Sequence, residues 1–191
     1  MKKLFLMAVM ALASVSSFAQ HRVGTVTIQP KVGLSLANVT KGDGDIRVGA
    51  VAGAEFEYQV SDIFSLSAGA LYSMQGCKGE VEGIDATVKL DYLNIPILAN
   101  VYVAKGLAVK LGIQPGFNVT SKASVEKSGT KVTTDLDGIE SVDFSIPIGL
   151  SYEINNFVID GRYNLGVSKI MDGSDSKNSV FQFTLGYKFA L

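Results

Sequence analysis

Asp160 and Arg162 stand two residues apart in the run "FVIDGRYNLG". On an extended chain that spacing projects an acid and a base from the same face. Glu55 and Glu57 repeat the spacing in "AEFEYQ", and Lys31, Lys110, Asp143, Glu153 and Lys188 stand singly in otherwise apolar or small-residue stretches. Opposed charges enclosed by protein support two kinds of chemistry: a paired network that fills an interior, or a path for protons or small ions. Nothing near them makes a reaction centre. Cys77 is the only cysteine and His21 the only histidine, so no nucleophile with its base and no cluster of metal ligands can be assembled from them. The chain also lacks a phosphate-binding glycine loop. "KGDGD" and "DGSDSK" carry carboxylates without the spacing of a calcium loop and read as solvated loop charge. No catalytic, metal or cofactor residue is expected, and the chain does not read as an enzyme.

The elements that carry these charges are strands. In "SVDFSIPIGLSYEI", Ser141 to Ile154, every even position from Val142 to Ile154 is apolar, while the odd positions are Ser, Asp, Pro, Gly or Glu. Alternation with period two is the signature of a strand with two unlike faces. The pattern recurs over eight segments, roughly Thr25 to Ala37, Arg47 to Val60, Phe64 to Gln75, Thr87 to Val103, Leu107 to Lys122, Ser141 to Ile154, Phe157 to Ser168 and Val180 to Leu191. The fourth shifts phase: Val88, Leu90 and Tyr92 are even, whereas Leu93, Ile95, Ile97, Ala99, Val101 and Val103 are odd. A bulge near Tyr92-Leu93 restores one apolar row and is preferred to a break at Asn94.

Connectors alternate in length. Asn38 to Ile46, Gly76 to Ala86, Ala123 to Glu140 and Lys169 to Ser179 are long and polar, and Ser61 to Ile63, Ala104 to Gly106 and Asn155-Asn156 are short. Long loops at one end and tight turns at the other are a property of outer-membrane barrels. A two-residue turn at Asn155-Asn156 pairs Ile154 with Phe157 and Tyr152 with Ile159, and places Gly149 opposite Arg162 and Ser151 opposite Asp160. The three-residue loop Ala104-Lys105-Gly106 pairs Val103 with Leu107, odd with odd.

The charges decide which face meets water. No charged residue falls on the eight apolar rows; those within strands, including Lys89, Asp91 and Lys122, lie on the opposite row among Gly and Ser. A soluble barrel's exterior is dense in Lys and Glu. Small residues with a few opposed charges suit instead the narrow interior of an eight-stranded barrel. The apolar rows hold Phe56, Tyr58, Phe64, Tyr72, Tyr92, Phe117, Phe144, Tyr152, Phe157, Tyr163, Phe181, Phe183, Tyr187 and Phe189, too bulky for that interior and suited to lipid. The expected fold is all-β: an eight-stranded antiparallel transmembrane up-and-down β-barrel whose first and last strands pair. Lys31, Glu55, Glu57, Lys110, Asp143, Glu153, Asp160, Arg162 and Lys188 are then lumen residues, and a structural polar network is the favoured reading over an ion path. The alternative is a soluble periplasmic calycin-like carrier of a lipophilic ligand.

Residues 1–19 read as a cleaved signal peptide, with Lys2-Lys3, the apolar run Leu4 to Ala13 and small residues before Gln20. Removing them from 191 residues leaves a single domain, 20–191, of 172 residues with 15 basic and 18 acidic side chains. That balance gives no basis for nucleic-acid binding. Charged residues are 18% of the chain, against about 25% in soluble domains.

"PKVGLSLANV", "DYLNIPILANVYV", "GLAVKLGIQPGFNV" and "FTLGYKFAL" resemble the small outer-membrane β-barrel proteins of the Bacteroidetes, grouped as PorT-like proteins. The resemblance spans nearly the whole chain after the signal. It implies outer-membrane lipid as the surroundings, insertion by the outer-membrane assembly machinery, no shared catalytic residues and no cofactor. It also raises a role as accessory to a protein secretion machine. The last strand ends in Leu191, with Phe189 two residues earlier, where the family's assembly signal has a terminal aromatic residue.

Overall fold

The structure, a computed structural model, describes residues 22–191 apart from 41–43, 82–83, 128–129, 137 and 172–174. The expected signal peptide and His21 lie outside the described residues. Regular structure among the described residues is entirely β: β1 (Val26–Val39), β2 (Asp45–Ser61), β3 (Phe64–Val81), β4 (Ile84–Asn94), β5 (Ile97–Ala104), β6 (Leu107–Lys127), β7 (Thr130–Asp135), β8 (Val142–Ile154), β9 (Phe157–Gly166), β10 (Asn178–Tyr187) and β11 (Phe189–Ala190). Each wall strand pairs antiparallel with its sequence neighbour, and β1 pairs with β10 from Lys31↔Gly186 to Val39↔Asn178. That seam closes a ring of eight staves.

Eleven segments make eight staves for local reasons. β4 and β5 are one stave, both lying between β3 and β6, interrupted at Ile95-Pro96. The expected continuous strand is therefore corrected to a broken one. Pro96 has no N–H to give, and neither does Pro115 on the facing strand. Ile95 N donates to Pro115 O at 2.8 Å and Gly69 N to Pro96 O at 3.1 Å, so the wall stays stitched across the gap. β10 and β11 form the last stave, parted at Lys188, whose N–H goes to Asn156 O at 2.8 Å. β7 is an added strand on the far end of β6.

The β8–β9 turn keeps the expected register, and the β5–β6 turn corrects the expected Val103–Leu107 pair. Asn155 takes φ 57° in the β8–β9 turn, and Ile154↔Phe157, Tyr152↔Ile159, Ser151↔Asp160 and Gly149↔Arg162 all form. At the β5–β6 turn Gly106 has φ 78°. Its closing pair is Ala104↔Leu107 with Val103 bulged out, and Val101↔Val109 below it keeps odd against odd. Two expected loops are corrected. Gly76 to Ala86 is largely the β3–β4 ladder, closing at Val81↔Ile84, and the expected loop Ala123 to Glu140 is, as far as Asp135, largely the β6–β7 hairpin. Thr and Val in "KASVEKSGTKVTTD" favour extended backbone even where polar residues outnumber apolar ones.

The outer wall is apolar and the lumen polar, the reverse of a soluble carrier. Leu111, Ile113, Ile148, Leu150, Phe181 and Leu185 all stand outward and exposed, and Gln29, Ser35, Ser65, Ser73, Asn100 and Gln182 are buried inside. Near the short turns Phe157, Tyr187 and Phe189 pack as an aromatic chain, with centroids 5.0 and 4.7 Å apart, and higher on the wall Tyr163 lies against Phe181 at 4.5 Å. Leu90 and Tyr92 depart from the expected outward row. They are buried and pack with Ile170 as an apolar cap. The register shift sits where expected along the strand, at Asp91/Tyr92, but the extra residue is Val119 on β6.

Ile148 lies at the middle of β8 and faces outward. Ile148→Lys is expected to cost about 2 to 4 kcal/mol in urea-unfolding titrations in lipid vesicles, whereas Ile148→Leu stays near wild type. The folded barrel is also expected to migrate differently on gels with and without boiling; identical mobility contradicts the closed barrel.

Candidate functional site in the barrel lumen

All nine charged residues expected inside are buried, and eight of them meet in two layers. At mid-barrel Lys31 Nζ lies 2.7 Å from Glu55 Oε2 and 3.7 Å from Asp160 Oδ2, and Lys110 Nζ lies 2.7 Å from Asp160 Oδ2. Arg162 Nη2 donates to Glu55 Oε1 at 2.9 Å and to Asp160 Oδ2 at 3.3 Å. Four strands, β1, β2, β6 and β9, thus reach a common centre across the lumen. Nearer the short turns Lys188 Nζ lies 3.0 Å from Glu57 Oε2 and 2.9 Å from Glu153 Oε2. Tyr102 joins this layer, donating its hydroxyl to Glu57 Oε1 and accepting from Lys188 Nζ at 3.2 Å, and Ser65 Oγ donates to Glu57 Oε1 at 2.7 Å.

Register explains why long side chains fit in so narrow a space. Lys31 has Gly53 on one side and Gly186 on the other, Glu55 faces Gly69, and Gly149 stands between Lys110 and Arg162. Lys31, Glu55, Lys110 and Arg162 therefore each cross the lumen over bare backbone on at least one side. The two layers together hold four cations, Lys31, Lys110, Arg162 and Lys188, and four carboxylates, Glu55, Glu57, Glu153 and Asp160. Buried charge is tolerated only when paired and hydrogen-bonded, and this balance meets that demand. Arg162 still has no protein partner at Nε and Nη1.

Asp143 does not join either layer. It lies toward the far end of the lumen, where Ser168 Oγ donates to its Oδ1 at 2.7 Å. A further ion pair was not part of the expected set: Arg47 Nη1 lies 3.1 Å from Asp91 Oδ1, Tyr72 donates its hydroxyl to Asp91 Oδ2 at 3.0 Å, and Arg47 also donates to Gln75 O. The signal for Arg47 was present, since it shares the parity of Gly49, Val51, Gly53 and Glu55 on β2. Tyr102 likewise shares the parity of Leu98 and Asn100 on β5, the inward row. Among the described residues no three His, Cys, Asp or Glu side chains gather as a metal site.

Comparison with known proteins places this architecture. The family described as outer membrane protein beta-barrel domain matches residues 18–172. Neisserial surface protein A is similar in structure, with TM-score 0.54 and 17% identity over 86% of this chain and 97% of that one. Ail, the attachment invasion locus protein of Yersinia pestis, is similar with TM-score 0.51 and 18% identity, over 88% of this chain and all of that one. At such identities the likeness shows the fold. No curated protein matches by sequence. Closed ring, apolar wall, charged lumen and family match agree: the chain belongs to the outer membrane protein beta-barrel domain family, and it is a small β-barrel of the bacterial outer membrane.

Proposed function

We propose that the protein is a closed, non-enzymatic membrane platform that acts through its extracellular hairpins and not through its lumen. The observation that carries this reading is the pair of charge layers: Lys31, Glu55, Lys110, Asp160 and Arg162 span the lumen at one level, and Glu57, Tyr102, Glu153 and Lys188 at another. Passage of an ion would require parting several buried pairs at once. Above the apolar wall, the β3–β4 and β6–β7 hairpins continue as paired strands. Paired backbone holds a recognition surface in a defined shape, as a slack loop does not. Insertion by the outer-membrane assembly machinery accords with the aromatic-rich last stave, "FQFTLGYKFAL".

A second reading, accessory to a protein secretion machine, is supported by the resemblance of the strand motifs to PorT-like proteins of the Bacteroidetes. Stoichiometric co-purification with a secretion assembly from native membranes, lost when the β6–β7 hairpin is shortened, would favour it.

In planar bilayers the protein is expected to show only low conductance; large, stable open-state currents would overturn the closed-lumen reading. Arg162→Met leaves Glu55 and Asp160 short of one cation. It is expected to lower unfolding free energy by about 3 to 5 kcal/mol in vesicles, and to raise the frequency of brief current events.

A further inference from the structure

Eleven Lys, Arg, Asp and Glu side chains are buried among the described residues: five cations, Lys31, Arg47, Lys110, Arg162 and Lys188, and six carboxylates. Five of the carboxylates stand within 4 Å of a buried cation, namely Glu55, Glu57, Asp91, Glu153 and Asp160. Asp143, only 6% exposed, is the sixth, and among the described residues no Lys or Arg pairs with it. Among the described residues the buried interior therefore holds one carboxyl more than it holds cations, and that carboxyl is Asp143.

The surroundings of Asp143 are polar and incompletely bonded. Gly116 stands directly across from it on β6 and puts no side chain in the way. A Cβ at Gly116 would meet Asn94 Oδ1 at 2.5 Å, so the Asn94 amide lies over that bare backbone. Asn178 interacts with both Asp143 and the Tyr92 hydroxyl, yet neither its Oδ1 nor its Nδ2 has a well-formed hydrogen bond. Asn164, on the inward row of β9 two residues before the Gly166 that faces Asn178, is unpartnered at both amide atoms as well. Asn164 and Asn178 are 3% and 2% exposed. Burying free amide atoms beside an uncompensated carboxylate is costly unless something occupies the space between them.

We propose that this end of the lumen binds one small hydrated monovalent cation, held by the Asp143 carboxylate and the amide oxygen of Asn178, with Asn164 reached through water on the ion. One positive charge balances the extra carboxylate. The available donors are all oxygen, which suits a hard cation, and a single carboxylate is too little charge to hold a divalent ion tightly. The Asn178 amide N–H that the ion leaves free donates to the Asp143 carboxylate, and water on the ion donates to the Asn164 amide oxygen. The charge layers below block onward passage, so the cation is a resident of the upper lumen and locks β8, β9 and β10 together.

The test is sodium-23 NMR on the folded, full-length protein in zwitterionic micelles, together with thermal unfolding in NaCl or KCl against N-methylglucamine chloride at equal ionic strength. Saturable broadening of the sodium resonance is expected, along with a higher unfolding temperature in NaCl or KCl than in N-methylglucamine chloride. Both effects should disappear in Asp143→Asn and half-saturate at about tenfold higher salt in Asn178→Ala, the loss of one charge-assisted contact. Should Asp143→Asn fail to fold, Asn178→Ala and Asn164→Ala carry the comparison by themselves. Equal stability in sodium and N-methylglucamine, or a sodium response unchanged in the Asn variants, means that water or a protonated carboxyl fills this end of the lumen, and overturns the proposal.

Discussion

An open strand edge in hydrocarbon leaves N–H and C=O groups without partners, at several kcal/mol each. The β1–β10 seam removes that edge, and much else in the molecule follows from it. Closing eight staves sets a lumen too narrow to leave vacant and too long to fill with small residues alone. The glycines at 53, 69, 149 and 186 are the accommodation: they thin the wall where Lys31, Glu55, Lys110 and Arg162 must cross. Wall closure and lumen charge are thus one design problem, solved residue by residue through the register.

Pairing across the lumen also divides the molecule along its axis. Toward the short turns, charge is balanced and hydrogen bonds are short. Toward the hairpins the interior turns to amides and then to the apolar cap of Leu90, Tyr92 and Ile170. This gradient places the electrostatic closure in the deeper part of the wall, where hydration is scarcest, and leaves the less tightly bonded groups toward the outer face.

Much of this is legible in the sequence itself. Period two and the absence of charge from one parity identify the lipid face, and the Asn155-Asn156 turn sets the β8–β9 register to the residue, because both depend on local rules. The misreadings have a common physical origin in what lies across the strand. Leu90 and Tyr92 fall on the row that apolar character marks as lipid-facing, yet the upper lumen has its own apolar cap. The break at Ile95-Pro96 depends on Pro115 facing it from β6, which no reading of one strand reveals. The charged residues could be placed on the inward row, but not their partners: Arg162 finds Glu55 through barrel curvature, and Arg47 finds Asp91 across an intervening strand.

The Arg162 to Glu55 contact joins residues 107 positions apart. Loop closure on that scale is entropically expensive before neighbouring strands have zipped together. The guanidinium and the carboxylate meet only where β2 and β9 face each other across the closed lumen, each giving up hydration in exchange for the other. The contact that seals the lumen thus depends on the ring being closed, and an unclosed barrel has two unpaired charges to keep solvated.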